Sequence, residues 1–359
     1  MNTKVMHGPD VPTRHKIVGR KVVNVAIVGC GYWGKNLVRN FAQCPHADPL
    51  ILCDEDESKM EAVSGFAPQA RKVRDFEEVL MDDSIDAVAI ATPISTHAQL
   101  ALAAMNAGKH VLVEKPMAGS VQDAEEMVQT ANREGLVLMV DHTFVFSSPV
   151  IKMKQLYDSG ELGTLNYIDC VRINLGLIQH DANVVWDLAP HDLSIIDYLI
   201  GRTPRVLSAF GAGHTSQLDI EDVAYLNLDY GEGLLASCHV NWLSPVKVRS
   251  IIFGGTEKSV IFDDINPSEK LRVFDRSVEM EQSDTSEARK KALVNYRMGD
   301  VVIPNLEQFE PLQRMVSHFA TSILNGSRPI TDGEMGLRVV QVLEAAQRSI
   351  KAQGSRIML

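Results

Sequence analysis

The stretch Val22-Val23-Asn24-Val25-Ala26-Ile27-Val28-Gly29-Cys30-Gly31-Tyr32-Trp33-Gly34-Lys35-Asn36 constrains the fold more than any other. Its first half is rich in β-branched residues, the composition of a strand buried on both faces of a parallel sheet. The strand ends at Gly29, and Gly29-x-Gly31-x-x-Gly34 leads straight into a helical pattern carried by Leu37, Val38 and Phe41. Each glycine has a steric task there. Gly29 permits a tight turn, Gly31 lets a pyrophosphate approach the backbone, and Gly34 lets helix and strand pack closely. Free N–H groups at the positive end of the helix then face the anion. A glycine-rich turn alone is common, but between a buried strand and a helix it reads as a dinucleotide site.

The chain continues in the same rhythm. Strands are expected at Pro49–Asp54, Ile85–Ala91, Val111–Val113 and Leu136–Val140. Helices are expected over Ser58–Phe66, Asp75–Met81, Thr96–Gly108 and Ser120–Gly135, the last with Ser120 as N-cap and Gly135 beyond its end. This alternation implies right-handed crossovers and an α/β doubly wound parallel sheet over 21–146. From about Pro149 the character changes. Strand-like stretches dominate, among them Leu165–Leu175, Arg205–Gly211, Val223–Tyr230, Leu234–Trp242, Lys247–Phe253, Ser259–Phe262 and Leu271–Phe274. Tight glycine turns such as Asp229-Tyr230-Gly231-Glu232-Gly233 indicate antiparallel hairpins. A helix over Asn183–Ile200 interrupts the strands, Asp264–Ile303 reads as a polar surface excursion, and helices at Phe309–Leu324 and Gly333–Gln353 follow. The expected plan is a flexible tail at 1–20, a dinucleotide-binding domain at 21–146, and an α+β domain with a large open, mostly antiparallel sheet at 147–359. An open sheet of this kind is a candidate surface for self-association.

With 359 residues, two cores of ordinary size can form. A net charge of −11 argues against nucleic acid or an anionic membrane as partner, so any anion site must be local. The five cysteines are scattered, with no CxxC and no Cys/His cluster, so neither a disulfide framework nor a metal site is indicated. No apolar run has the length of a membrane span, the N-terminus lacks a signal-peptide core, and the expected location is the cytoplasm.

Four further positions can carry chemistry. Asp54 ends the second strand about 20 residues past Gly31, where a carboxylate accepts hydrogen bonds from the adenosine ribose and repels a 2′-phosphate. NAD is therefore expected over NADP. Thr92-Pro93 follows the next strand at the carboxyl edge, where Thr92 can hydrogen-bond a phosphate or ribose and Pro93 fixes the turn; Ser95 or Thr96 can cap the helix beyond. Glu114-Lys115-Pro116 ends another strand at the same edge. Burial and a cationic neighbour there favour a neutral lysine amine able to take a proton. Asp187 and His191 are four residues apart and so share one helix face. Pro190 suits a first helical turn, which puts both at a helix N-terminus, where a neutral imidazole is favoured.

Together these pieces resemble the glucose–fructose oxidoreductase / inositol dehydrogenase family, Gfo/Idh/MocA, over residues 21–355. The carriers are Gly29-Cys30-Gly31-Tyr32-Trp33-Gly34, Asp54, Thr92-Pro93-x-Ser95-Thr96-His97, Glu114-Lys115-Pro116 and Asp187-x-x-x-His191. The resemblance implies that Lys115 and His191 flank a sugar carbon that gives or receives hydride, with Asp187 binding the sugar and orienting the base. It also implies that Tyr32, Trp33, Thr92, Pro93, His97 and Glu114 join the three glycines and Asp54 in holding NAD. Two departures stand out. Asn183-Val184-Val185 replaces glycines usual before Asp-x3-His, and an arginine common after the sixth strand is missing from His142-Thr143-Phe144-Val145-Phe146. Within the family, Gly31–Asn36, Trp186–Asp192 and Glu310-Pro311-Leu312 look most like members from polysaccharide biosynthesis that act on sugar nucleotides. Lys247 and Arg249, on alternate positions of one strand, can hold a diphosphate or a uronate; a solvated strand edge explains them equally. The expected protein is an NAD-dependent oxidoreductase of a sugar, acting as a homodimer or homotetramer joined through the C-terminal sheet. A hydrolase or lyase using transient oxidation, and a redox-inert dinucleotide sensor, are the competing readings.

Overall fold

A computed structural model describes residues 20–176, 182–215, 220–280 and 294–359. The tail expected at 1–20 lies outside the described residues except for Arg20, as does 281–293 of the expected excursion. The chain forms two units. One comprises the residues up to Ser147 together with Phe309–Glu344; the other comprises Ser148–Gln308 with Ala345–Leu359.

In the first unit the elements alternate as β1 (Val23–Val28), α1 (Gly34–Ala42), β2 (Ala47–Cys53), α2 (Glu57–Ser64), β3 (Arg71–Val73) and α3 (Phe76–Leu80). They continue as β4 (Ala87–Ile90), α4 (Ile94–Asn106), β5 (His110–Glu114), α5 (Val121–Glu134) and β6 (Leu138–Asp141). The six strands form one parallel sheet in the order β3-β2-β1-β4-β5-β6. β4 is buried at every position and β1 at all but Asn24, as strands covered on both faces must be. The order reverses between β1 and β4, so the switch point of the sheet lies where the glycine turn leaves β1. α5 has the caps expected of it. Ser120 Oγ accepts from the Asp123 N–H at 3.1 Å, and Gly135 takes a left-handed conformation at the other end. α4, in contrast, starts at Ile94, with Pro93 as its N-cap residue, so neither Ser95 nor Thr96 caps it. The Thr96 hydroxyl instead donates back to the Pro93 carbonyl at 2.7 Å.

Two later helices join this unit: α8 (Pro311–Asn325) and the greater part of α9 (Gly333–Lys351). Phe319 of α8 meets Phe41 of α1 edge-on, with ring centroids 6.4 Å apart. Thr331 clamps β6, its hydroxyl donating to the Val140 carbonyl while its own carbonyl accepts the Val140 N–H.

The second unit holds α6 (Ser148–Asp158), β7 (Leu165–Leu175), α7 (Val184–Ile200), β8 (Val206–Ala212), β9 (Val223–Gly231), β10 (Leu234–Asn241) and β11 (Leu243–Gly255). Then come β12 (Ser259–Asp263), β13 (Leu271–Met280), β14 (Val294–Val302) and the short β15 (Ile357–Met358). The nine strands run β14-β13-β12-β11-β7-β10-β9-β8-β15, antiparallel throughout except for the parallel pair β7–β10. The hairpin between β9 and β10 turns on Gly231, Glu232 and Gly233, all at positive φ, the geometry that matches strand twist. The described residues of the expected excursion Asp264–Ile303 are largely sheet. β13 and β14 pair antiparallel from Val273↔Val302 to Met280↔Val294. β14 is the edge of the sheet and its described side chains lie towards solvent, so it lacks the apolar alternation that marks a half-buried strand. One face of the central strands is buried, while Tyr167, Phe210, Tyr225 and Leu235 lie exposed on the other. Among the described residues no helix is long and apolar enough to cross a membrane.

Candidate active site

The turn after β1 is built on contact between backbones. Gly29 sits at φ +89°, and a Cβ there would lie 2.6 Å from the Ala91 carbonyl oxygen at the end of β4. A Cβ on Gly34 would collide with the Gly29 carbonyl, whereas a Cβ on Gly31 would meet nothing within 4 Å. Two glycines thus lock strand to helix, and the third leaves open space in front of the backbone. α1 begins without a side-chain cap and without an acid in its first turn. An uncapped helix start behind open space suits the pyrophosphate of a dinucleotide.

Asp54 follows β2 and reaches back to this turn. Its Oδ2 accepts the Cys30 N–H at 2.8 Å and its Oδ1 accepts the Asp56 N–H at 2.9 Å. Lys59 Nζ stands 3.7 Å from Oδ1. Burial and the Asp54 charge push the Cys30 thiol up to about 12, so it stays protonated. Tyr32 is exposed, with Lys35 Nζ 5.8 Å from its ring centre. The Trp33 indole turns the other way and donates to Asp141 Oδ2 at 3.0 Å.

The neighbouring turns are tied together by His97. Its buried ring puts Nε2 2.9 Å from the Thr92 carbonyl and Nδ1 2.9 Å from the Pro116 carbonyl, so α4 fastens the turn after β4 to the turn after β5. Thr92 Oγ1 lies 2.7 Å from the Thr96 hydroxyl. Glu114 ends β5, and its Oε2 accepts the Lys115 N–H at 3.1 Å. The Lys115–Pro116 peptide is cis. The structure thus gathers Gly29, Gly31, Gly34, Tyr32, Trp33, Asp54, Thr92, Pro93, His97, Glu114 and Lys115 along one edge of one sheet. His97 serves there as a backbone brace.

In the second unit the candidate residues sit on α7. The Asn183 side chain caps this helix, accepting the Val185 and Trp186 N–H groups at 3.1 Å each. Its own amide donates to Glu221 and Gln347 at 2.6 Å. The helix therefore starts at Val184, and Pro190 falls in its second turn, not its first. Pro190 offers no N–H to the Trp186 carbonyl. Asp187 lies in the first turn, where the helix dipole favours an anion, and His191 lies one turn further in. Buried Trp242 donates from Nε1 to Asp187 Oδ2 at 3.0 Å. Next to His191, Asp192 forms a bidentate ion pair with Arg172 of β7, Nη2 to Oδ1 at 2.6 Å and Nε to Oδ2 at 3.2 Å, with both side chains almost wholly buried. Arg249 stands beside Arg172 in the β7–β11 register, on that same covered face, with its Nη1 3.5 Å from Asp264 Oδ2. Lys247 is exposed in the irregular part of β11.

Trp242 and the Arg172–Asp192 pair escaped the reading of the sequence, because nothing local marks a long-range donor; the cap role of Asn183 had a local signal, an Asn at the expected start of the helix. Asp141 carried a signal that went unused: like Asp54 and Glu114, it is an acid closing a buried strand.

A parallel sheet with a glycine turn at its switch point, an acid closing its second strand and a lysine at the same edge defines a dinucleotide-dependent oxidoreductase. Comparison with known proteins specifies which. Residues 23–142 match the Gfo/Idh/MocA oxidoreductase family, NAD-binding Rossmann fold, and residues 150–261 match the Gfo/Idh/MocA C-terminal domain. The chain belongs to this family, and its first unit is an NAD-binding Rossmann domain. Among curated relatives, scyllo-inositol 2-dehydrogenase (NADP(+)) IolW of Bacillus subtilis is 26% identical, covering 92% of this chain and 95% of its own. Among solved structures, UDP-N-acetylglucosamine 3-dehydrogenase GnnA from Acidithiobacillus ferrooxidans has a TM-score of 0.76 at 22% identity, covering 92% of this chain and 98% of its own. The WlbA dehydrogenase from Bordetella pertussis, solved with NADH and UDP-GlcNAcA, has a TM-score of 0.76 at 21% identity, covering 95% and 99%.

Proposed function

We infer that this protein is an NAD-dependent dehydrogenase acting on a ring hydroxyl of a sugar, most specifically a nucleotide-linked one. The carrying observation is that one chain holds both a dinucleotide edge that includes Lys115, in its first unit, and an acid and an imidazole one turn apart on α7, in its second. A redox-inert sensor would need neither Lys115 nor the Asp187–His191 pair. The bound nicotinamide supplies the hydride acceptor. Gly29, Gly31 and Gly34 seat the pyrophosphate, Asp54 receives the ribose hydroxyls, and Tyr32, Trp33, Thr92, Pro93 and Glu114 complete the cofactor edge. Lys115 Nζ takes the proton that the carbinol hydroxyl must lose as its hydride departs. Asp187, held by Trp242, binds sugar hydroxyls, and His191 orients the sugar or shares the proton transfer. Arg249, and Lys247 beside it, provide the positive charge that a diphosphate or a uronate carboxylate needs. The relatives named above, which include a sugar-nucleotide dehydrogenase and a structure holding a UDP-sugar acid, support that substrate class.

The test is a panel of UDP- and TDP-sugars, their uronates and free sugars, incubated with NAD while NADH release is followed. Net NADH from one sugar class is expected. Turnover of a sugar without net NADH would point to transient oxidation, and inertness toward the whole panel would refute the dehydrogenase reading. The exposed face bearing Tyr167, Tyr225 and Leu235 pairs with a second copy in this proposal, and a monomer in micromolar sedimentation would exclude that part.

A further inference from the structure

Glu114 and Asp141 close adjacent parallel strands and stand opposite each other in the β5–β6 register. Register partners on adjacent strands carry their side chains on one face of the sheet, so the two carboxyl groups are neighbours, and neighbouring carboxyls shed their mutual repulsion when one of them carries a proton. The surrounding donors decide which one. Asp141 Oδ2 accepts the Trp33 indole N–H at 3.0 Å, and Oδ1 accepts the Thr143 hydroxyl. Two donors stabilise an anion. Among the described residues, Glu114 Oε2 accepts the Lys115 backbone N–H, while Oε1 is shut off from solvent and has no hydrogen-bond partner. A bare carboxylate oxygen in that place is costly; a hydroxyl there has Asp141 to donate to.

Lys115 is the cation beside Glu114. His142 follows Asp141, is buried, and has neither ring nitrogen hydrogen-bonded. Burial, and secondarily the Lys115 charge, hold it down to about 3, so it contributes no charge. Burial first, and Asp141 second, push the Glu114 carboxyl well above the ordinary glutamate range.

We propose that Glu114 and Asp141 hold a single proton between them, carried on Glu114 Oε1, so that the sheet edge presents one negative charge to Lys115 instead of two. The pair thereby acts as a positioning element. Glu114 Oε2 fixes the Lys115 backbone, Trp33 ties the pair to the glycine turn, and the sheet edge beside Lys115 carries one carboxylate charge in place of two. This deepens the proposed role of Lys115, on which only the kinetic arm of the test depends.

At about pH 8, where free carboxyls are ionised, the infrared spectrum of the whole protein should contain a protonated-carboxyl C=O band that shifts in heavy water. Glu114→Gln should abolish it. No such band in the native protein, or a band undiminished in the variant, overturns the proposal whether or not a sugar substrate is ever found. With the best sugar from the panel, Glu114→Gln should keep the midpoint of the acid limb of its pH–rate profile, even if turnover falls. A neutral amide beside ionised Asp141 presents the same single charge. A shift of that midpoint towards acid by about one to three pH units, the effect of deleting a charge a few ångströms away, would mean that both carboxyls are ionised in the native protein and would equally overturn it.

Discussion

Replacing Asp54 by asparagine should erode the preference for NAD over NADP by about one to three decades while leaving the first unit folded. The reasoning starts from where the carboxylate stands. Its side chain is 8% exposed and anchored by the Cys30 and Asp56 N–H groups, so its charge is fixed at the end of β2. A 2′-phosphate at about 4 Å, with an effective dielectric near 20, meets a repulsion of roughly 4 kcal/mol per unit charge, or about three decades in affinity. Lys59 Nζ, 3.7 Å away on a half-exposed side chain, cancels part of that repulsion, which sets the lower bound near one decade. Asparagine removes the charge but keeps one oxygen to accept a backbone N–H. Alanine removes both acceptors and leaves the Cys30 N–H unpaired, at a further cost of about 1–3 kcal/mol in stability. Dissociation constants for NAD and NADP, measured at one salt concentration in the native protein and both variants, separate charge from scaffold. Equal affinities in the native protein, or an unchanged ratio in Asp54→Asn, would refute the reasoning.

Lys115→Met keeps length and apolar bulk but deletes the amine; turnover should fall by at least about a hundredfold, with NAD affinity within a few-fold. His191→Asn should cut turnover too, and whichever variant loses the acid limb of the pH profile has lost the base; near-normal turnover in both would sink the catalytic assignment. Arg172→Met strands a buried Asp192 and should cost about 3–5 kcal/mol in urea unfolding, whereas Arg172→Met with Asp192→Leu should recover most of it, and equal losses would contradict the ion-pair account. Burial holds His142 down to about 3 and His318 down to about 4, below the value near 6.5 of an unfolded histidine. Stability is therefore full above about pH 6.5 and falls as pH drops towards 4, by up to about 1.4 kcal/mol per pH unit for each ring. His318→Gln should flatten that decline in urea midpoints between about pH 7.5 and pH 5, and a native protein insensitive to this change would exclude it.

Much of the first unit is legible because its signals are local. Buried strands in a parallel sheet read as continuous apolar runs, and Ser120 and Gly135 cap their helix by contacts within a few residues. β3 escaped because Arg71–Val73 is three residues long with one buried side chain. β14 escaped because an edge strand needs no apolar face. Of the pair expected at a helix start, Asp187 lies in the first turn and His191 one turn further in, because Asn183 caps the helix at Val184, so Pro190 falls in the second turn. Only the bonds that steady the cap's amide, to Glu221 and Gln347, come from elsewhere in the chain.

By itself the sequence determined what rests on neighbours along the chain. That includes the glycine turn after β1, the order of strands and helices that makes the sheet parallel, the acids and the lysine closing those strands, and the spacing that puts Asp187 and His191 on one helical face. Only the tertiary structure decided that Phe309–Glu344 packs with the first unit, through Phe41–Phe319 and the Thr331 clamp on Val140. It alone brought Trp242 to Asp187, Arg172 to Asp192, and Trp33 to Asp141 beside Glu114. These are hydrogen bonds and ion pairs between side chains from 20 to more than 100 positions apart. Their energy depends on burial and orientation, which no window of sequence contains.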